Sequence, residues 1–362
     1  MHMDWEGGIE RMSGIHRTKI EWADSTWNPI TGCLHGCPHC YAAVMVKRFG
    51  PQHGEWPEEV NTCELTYRTD GAEYTCYEIE EPVKMYDAAG GNYIRTCPYP
   101  KGFIPTLHKY KLSHLADAKT PRRIFVGSMC DIFGEWVPMD WIEKVFGQCR
   151  AYTQHVYMFL TQNPERMLKF AQNDYLPKGD NFWYGSTITT ADKQLFFSGD
   201  HNTFASVEPM LGEFVDLPKQ WIPPDWIIVG PLNGPGAKAH RPKSEWIEKL
   251  GSECKEVGIP LFMKKELATV YGAGNLLKEY PEKMLKHIEV HAANYPAYRG
   301  KLLYVEFDGQ HVKLSDLSTT TGIPYPALYE RYKKGDVEAY IKKRLATGAS
   351  PGKKYRERKS DE

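Results

Sequence analysis

Residues 31–42 read TGCLHGCPHCYA, and Cys33, Cys37 and Cys40 stand in it at C-x3-C-x2-C spacing, with Tyr41 directly after the third cysteine. Three thiolates within eight residues suit an iron-sulfur cubane, because such clusters are held by cysteine thiolates and a missing fourth ligand leaves one iron open. An open iron is where a cofactor binds. Gly32 and Gly36 let the loop curl, and Pro38 stiffens the turn between the second and third ligands. A zinc site is the alternative, since His35 and His39 are interleaved with the thiols and Cys3His tetrahedra are common. Structural zinc usually draws its ligands as two separated pairs, however, and no second pair lies near. A disulfide reading fares worse. The chain opens MHMDWEGGIERMSG without an apolar signal peptide, and no run approaches the roughly 18 apolar residues of a membrane span. A cytoplasmic protein with reduced thiols and no membrane partner is therefore expected.

Outward from this loop, short apolar runs alternate with amphipathic stretches. IFVGS (124–128), VYMFLT (156–161), FWYGSTI (182–188), TFASVE (203–208), WIIVG (226–230) and PLFMK (260–264) read as buried parallel strands. MDWIEKVFGQCRAY, PERMLKFAQN and KSEWIEKLGSECKEVG place apolar residues at three- and four-residue spacing, with Pro164 at a helix start and Gly258 at a helix end. A first strand is expected near 28–31. The alternation predicts an α/β chain built as a partial (β/α) TIM-like barrel, with the cysteine loop above its first strand.

Chemistry in such barrels lies at the C-terminal strand ends, and polar residues collect there. By position, Tyr41, Ser128, Asp131, Thr161 and Glu208 are candidates for cofactor binding, and Asn163, Asn233 and Lys264 for substrate binding. No catalytic residue is assigned. A carboxylate there suits a ribose or amino group, and a lysine suits a carboxylate or phosphate. Ser186, Thr187 and Lys265 belong to the same rim.

Residues 50–102 interrupt the pattern. They are rich in Gly, Pro, Tyr and acidic residues, and the alternation around Asp70-Gly71 predicts a small hairpin, so this stretch reads as an inserted flap. Cys63, Cys76 and Cys97 fall inside it and offer ligands for a second metal, although their spacing lacks a ligand-pair signature. Cys130, Cys149 and Cys254 read as buried thiols that pack as small hydrophobes.

At 362 residues, 41% hydrophobic and 25% charged, the chain has room for one large domain and a small one. Its net charge of −1 hides an uneven distribution, because residues 331–362 hold eleven Lys and Arg against five Asp and Glu. After residue 300 the sequence predicts a hairpin around Asp308-Gly309, a helix from Leu314, a turn at Gly322, Ile323 and Pro324, and a second helix from about Pro326. That is the helix-turn-helix layout, with Leu314, Leu317, Ile323, Leu328 and Tyr332 as its core. The second helix would present Tyr325, Tyr329, Arg331, Lys333 and Lys334 to DNA. A helical hairpin packed on the barrel or on another subunit is the plainer alternative. The organisation expected is a flexible leader over 1–17, a barrel over 18–300, a helix-turn-helix domain over 301–345 and a basic disordered tail over 346–362.

The cysteine loop resembles the signature of the radical S-adenosylmethionine (SAM) superfamily, and TKIEWADSTWNPITGC (18–33) is similar to the opening of a phage-encoded branch of it. VGSMCDIFGEWVP, FLTQNPERM, ASVEPMLGEF, WIIVGPLNGPGA and PLFMKK follow in order, so the resemblance covers about residues 18–268. It departs where the branch carries Gly-Gly-Glu and this chain has Gly230, Pro231, Leu232 and Asn233. The resemblance implies a radical SAM barrel with a 4Fe-4S cluster on Cys33, Cys37 and Cys40, and SAM chelated to the open iron. One-electron reduction, from a flavodoxin- or ferredoxin-type donor, would yield a 5'-deoxyadenosyl radical, chemistry that belongs to the cofactor while the protein positions and shields it. Joined to a DNA-reading module, it implies rearrangement of an amino-acid-decorated thymine in phage DNA, a step of thymidine hypermodification that evades host restriction, in the host cytoplasm. A base so treated would be flipped out of the duplex. Repair of a DNA lesion or modification of RNA by the same cluster is one alternative. A DNA-binding regulator whose cluster senses redox state is the other.

Overall fold

In a computed structural model of the chain, described over residues 15–53, 55–57, 62–69, 71–87, 91–214, 216–217, 222–233, 237–292, 304–321, 323 and 325–346, the expected alternation appears as one long sheet. The chain enters through β1 (His16–Arg17), β2 (Ser25–Trp27), β3 (Ile30–Thr31) and helix α1 (Tyr41–Phe49). The inserted stretch forms β4 (Glu55–Pro57), β5 (Thr62–Thr69), β6 (Ala72–Ile79), β7 (Val83–Asp87) and β8 (Tyr93–Cys97). There follow β9 (Thr106–His108), β10 (Arg123–Val126), α2 (Met139–Ala151), β11 (Val156–Thr161), α3 (Pro164–Gln172), β12 (Phe182–Ile188), β13 (Asn202–Val207), β14 (Trp226–Val229), α4 (Ser244–Val257), β15 (Leu261–Met263), α5 (Ala268–Tyr271) and α6 (Glu282–Ala292). The chain closes with β16 (Tyr304–Phe307), β17 (Gln310–Lys313), α7 (Leu314–Thr321), α8 (Tyr325–Tyr332) and α9 (Val337–Ala346).

The sheet runs β1-β2-β10-β11-β12-β13-β14-β15, antiparallel only at β1. Its strands are buried on both faces, as parallel strands covered by helices must be. Alternate residues sort into two layers. Ile124, Val126, Tyr157, Phe159, Phe182 and Tyr184 pack under α2 and α3, and Ala205, Val207, Ile227, Val229, Leu261 and Met263 pack under α4. Phe125, Met158, Trp183, Phe204, Trp226, Ile228 and Phe262 face the other way and share a single cluster. Trp22 closes it, with its ring centroid 4.8 Å from Phe125, 6.3 Å from Phe204 and 6.4 Å from Trp226. Strands spaced about 4.8 Å apart would separate β10 from β14 by nearly 20 Å if the sheet were flat, so these contacts require a curled sheet, a half-barrel with its seven parallel strands around an aromatic interior.

The first barrel strand is Ser25–Trp27, not the 28–31 stretch that the sequence suggested. Pro29 lacks an N–H to continue the ladder, and beyond it the chain crosses to β3, which pairs with β9. The insert contains the expected hairpin, β5 on β6 in register from Thr62↔Ile79 to Thr69↔Ala72, with Asp70 itself outside the described residues. It is no free flap. β6 pairs with β9, Cys76 Sγ lies 3.2 Å from the Trp136 carbonyl, and Trp141 Nε1 donates to Glu78 at 2.7 Å. Cys76 therefore belongs to the barrel's outer core, Cys97 sits in a separate small core with Ile79, Val83 and Met85, and Cys63 is exposed. That scatter overturns the second metal among these three. Cys149 and Cys254 are buried as expected, and Cys130 is half-buried.

The terminal unit is a β16–β17 hairpin and three helices around Leu314, Leu317, Ile323, Leu328, Val337 and Ile341. Helix α9 was not foreseen, and Tyr332, expected in this core, is 37% exposed because Val337 and Ile341 of α9 complete it. The hairpin stands on the barrel floor, where strands begin. Tyr304 joins the interior cluster, Lys313 Nζ lies 3.5 Å from Asp24, and Gln310 donates to Glu279 at 3.1 Å. Residues 1–14, the 300/301 boundary, Gly322, Pro324, the Tyr325 side chain and the tail from 347 lie outside the described residues.

Candidate functional site

The cysteine loop leaves the barrel at the C-terminal end of β2 and is pinned on both sides. Gly32 N donates to the Met129 carbonyl at 3.0 Å and Cys33 N to the Phe103 carbonyl at 3.1 Å. Gly32 has φ +92°, and a Cβ there would stand 2.3 Å from the Ile104 carbonyl oxygen, so only glycine fits. Cys40 N-caps α1, its sulfur accepting from Ala43 N at 3.4 Å. Burial, together with the neighbouring Asp131, Cys37 and Cys40, pushes the Cys33 thiol up to about 12. A thiol so placed ionises only with a positive partner, which a bound metal supplies.

Asp131, 5% exposed, ties this loop to the barrel. Its Oδ1 accepts from Thr161 Oγ1 at 2.7 Å and Phe133 N at 3.0 Å, and its Oδ2 from Gln162 N at 2.8 Å and His35 Nε2 at 2.7 Å. The candidates Asp131 and Thr161 are thus bonded to each other, 30 residues apart. His35, one of the two imidazoles beside the thiols, spends Nε2 on Asp131 and packs edge-on against Trp136. Gln162, which residue type and position did not single out, touches Cys37 Sγ through Nε2 at 3.3 Å and Oε1 at 3.4 Å. Asn163 caps α3 by accepting from Arg166 N at 3.2 Å, and its amide donates to the Phe133 carbonyl and to Glu135.

Tyr41 and Ser128 form a second tie. The Tyr41 hydroxyl donates to the Ser128 carbonyl, and Ser128 Oγ bonds to Asn28 Oδ1 at 3.1 Å, which also accepts from Met129 N. Tyr41 is 55% exposed overall, yet burial of its hydroxyl end holds that group above its ordinary value. Asn28 was missed; its signal was an Asn-Pro step directly after a strand.

Glu208 and Lys264 pair at the ends of β13 and β15. Burial alone would lower the Lys264 ammonium, and the Glu208 carboxylate overrides it, leaving it above its ordinary value. Gly230 makes room, since a Cβ there would come within 2.8 Å of Lys264 Cδ and 3.0 Å of Glu208 Cγ. Asn233 is exposed in the following loop. Farther along that connection, His240 reaches the cysteine loop, its ring 6.1 Å from that of His39. A cavity of about 260 Å³ opens between the ends of β11 and β12, lined by Gln162, Asn163, Glu165, Thr187, Thr189 and Lys193.

The expected DNA-reading residues are largely engaged within their own unit. Arg331 pairs with Asp336 at 3.1 Å and lies over Tyr340, Lys333 pairs with Glu330 at 2.9 Å and lies over Tyr329, and Lys334 is exposed. Nothing is described of the Tyr325 side chain.

Among the described residues no three His, Cys, Asp or Glu side chains stand as the ligands of a bound ion. Cys37 is turned to Gln162 and Cys40 to its helix. The donor set still fits an iron-sulfur cluster by its chemistry, with three unpaired, half-buried cysteines on one short loop. No helix among the described residues is long and apolar enough to cross a membrane.

No curated protein matches this sequence. Among solved structures, the chain is similar to spore photoproduct lyase complexed with dinucleoside spore photoproduct, at 11% identity and a TM-score of 0.34, over 86% of this chain and 76% of that one. Residues 17–289 match the model of the family described as "Protein of unknown function (DUF5131)", and the chain belongs to that family.

Proposed function

We propose that this protein is a radical SAM enzyme that rearranges an amino-acid-decorated thymine in phage DNA, moving the amino-acid attachment from nitrogen to carbon. One observation carries the reading: a three-cysteine loop held over the C-terminal ends of a curled parallel sheet, beside a cavity that shares Gln162 with it. A 4Fe-4S cluster on Cys33, Cys37 and Cys40, with SAM, would supply a carbon radical able to take hydrogen from unactivated carbon. The chain's own residues do the rest. Asp131 holds the loop against the barrel through His35, between the first two cysteines, and Tyr41 holds it just after the third. The Glu208–Lys264 pair offers a carboxylate for an amino group and an ammonium for a carboxylate, the two charges an amino-acid adduct carries. Because the terminal unit stands on the floor, opposite the mouth, it serves in this reading as a tether to DNA instead of a clamp across the cavity.

The test is product analysis. The reconstituted protein is incubated anaerobically with SAM, a reductant and DNA carrying glycine-decorated thymine, and the digested nucleosides are separated by mass and retention. An isomer of unchanged mass supports the reading. Turnover of lesion-bearing DNA with none of the decorated thymine would reassign the substrate to repair. Redox-dependent DNA binding without SAM consumption would make the protein a sensor.

A further inference from the structure

Gln162 is the one side chain described here that touches both a loop sulfur and the cavity. Its backbone N–H donates to the same Asp131 oxygen that receives His35, so a single atom fixes Gln162 and the residue two places before Cys37. The amide then meets Cys37 Sγ through both of its ends, Oε1 at 3.4 Å and Nε2 at 3.3 Å. A protonated thiol can donate to Oε1. An iron-bound thiolate has no proton to give, so only the Nε2–H donor contact survives in the loaded state.

We propose that Gln162 raises the reduction potential of the cluster by donating an N–H to the Cys37 sulfur, with Asp131 as the positioning residue; this rests on the assignment of Cys33, Cys37 and Cys40 as cluster ligands. A hydrogen bond to a ligand sulfur favours the more negative, reduced state, and such bonds are among the levers that set cluster potentials. Asp131 is buried and accepts from four groups, the Gln162 backbone N–H among them, so it fixes the backbone from which the Gln162 side chain reaches the sulfur.

The experiment is a redox titration followed by electron paramagnetic resonance of the reduced cluster, on the full chain and on Gln162→Leu and Gln162→Glu, with iron and sulfide content measured on each. Gln162→Leu should shift the midpoint to more negative potential, and Gln162→Glu, which adds a carboxylate beside the sulfur, should shift it further, with iron and sulfide content unchanged. Unchanged potentials in both variants would overturn the proposal. So would loss of iron from both, which would make the contact a brace for the loop alone. An unmodified protein that gives no iron-sulfur signal fails differently, since it overturns the ligand assignment itself.

Discussion

Gly32 carries the tightest constraint in the site. Its φ of +92° and the 2.3 Å approach of the Ile104 carbonyl to a Cβ mean that Gly32→Ala must move backbone. We expect a loss of about 2–4 kcal/mol, read by denaturant unfolding. The proposed ligand residues behave otherwise. Cys33→Ala, Cys37→Ala and Cys40→Ala should each abolish cluster loading while costing only about 1 kcal/mol of stability, because the three are half-buried, and iron content beside a melting curve checks both halves. At this scale the sequence singles out the cysteines, since residue type and spacing are local. It was silent about what holds them. His35 and Asp131 lie 96 residues apart and Cys37 and Gln162 lie 125 apart, and no residue type announces a bond across such separations. Asp131 and Thr161 were singled out by position at strand ends, and their polar atoms turn out to bond to each other.

Elements were legible where period and punctuation agreed. The strands from β10 to β15, Pro164 at the start of α3 and Gly258 at the end of α4, with φ +75°, fall where apolar runs, proline and glycine put them. The first strand was misplaced because Ile30 and Thr31 are both β-branched, yet Pro29 diverts them to another sheet. Helix α6 went unread because its apolar residues Met284, Leu285 and Ile288 fill the barrel interior, a demand set by tertiary packing. The capping role of Asn163 gives a direct check. Asn163→Ala should cost roughly 1–2 kcal/mol, through the lost α3 cap and the freed Phe133 carbonyl, whereas Asn163→Asp should retain most of the cap. Chemical denaturation of the two variants tells them apart.

The whole molecule adds two consequences. His155 is fully buried, and burial together with the Arg122 charge lowers it to about 3. Its unfolded value is about 6.5, so the unfolded chain takes up a proton that the folded chain refuses, and stability present above pH 6.5 drains away as pH falls toward 3. Between pH 7 and 5 the loss from this group alone is about 2 kcal/mol. Melting temperatures across that range should fall, and His155→Phe should flatten the profile. The second consequence concerns the terminal unit, fixed to the floor by Tyr304, Lys313 and Gln310. Lys334→Glu, at an exposed cation, should weaken DNA binding and reduce its salt dependence, since fewer released counterions mean a shallower slope. It should leave DNA-independent SAM cleavage untouched. Fluorescence anisotropy at several salt concentrations measures the first, and a cleavage assay without DNA measures the second.

In the proposed function, Cys33, Cys37 and Cys40 hold a cluster that cleaves SAM. Its most direct test is formation of 5'-deoxyadenosine by the anaerobically reconstituted, reduced protein, set beside the three alanine variants. The parent chain should form 5'-deoxyadenosine, and none of the variants should. Cleavage that persists in a cysteine variant, or a parent chain that holds zinc and leaves SAM intact, would contradict it.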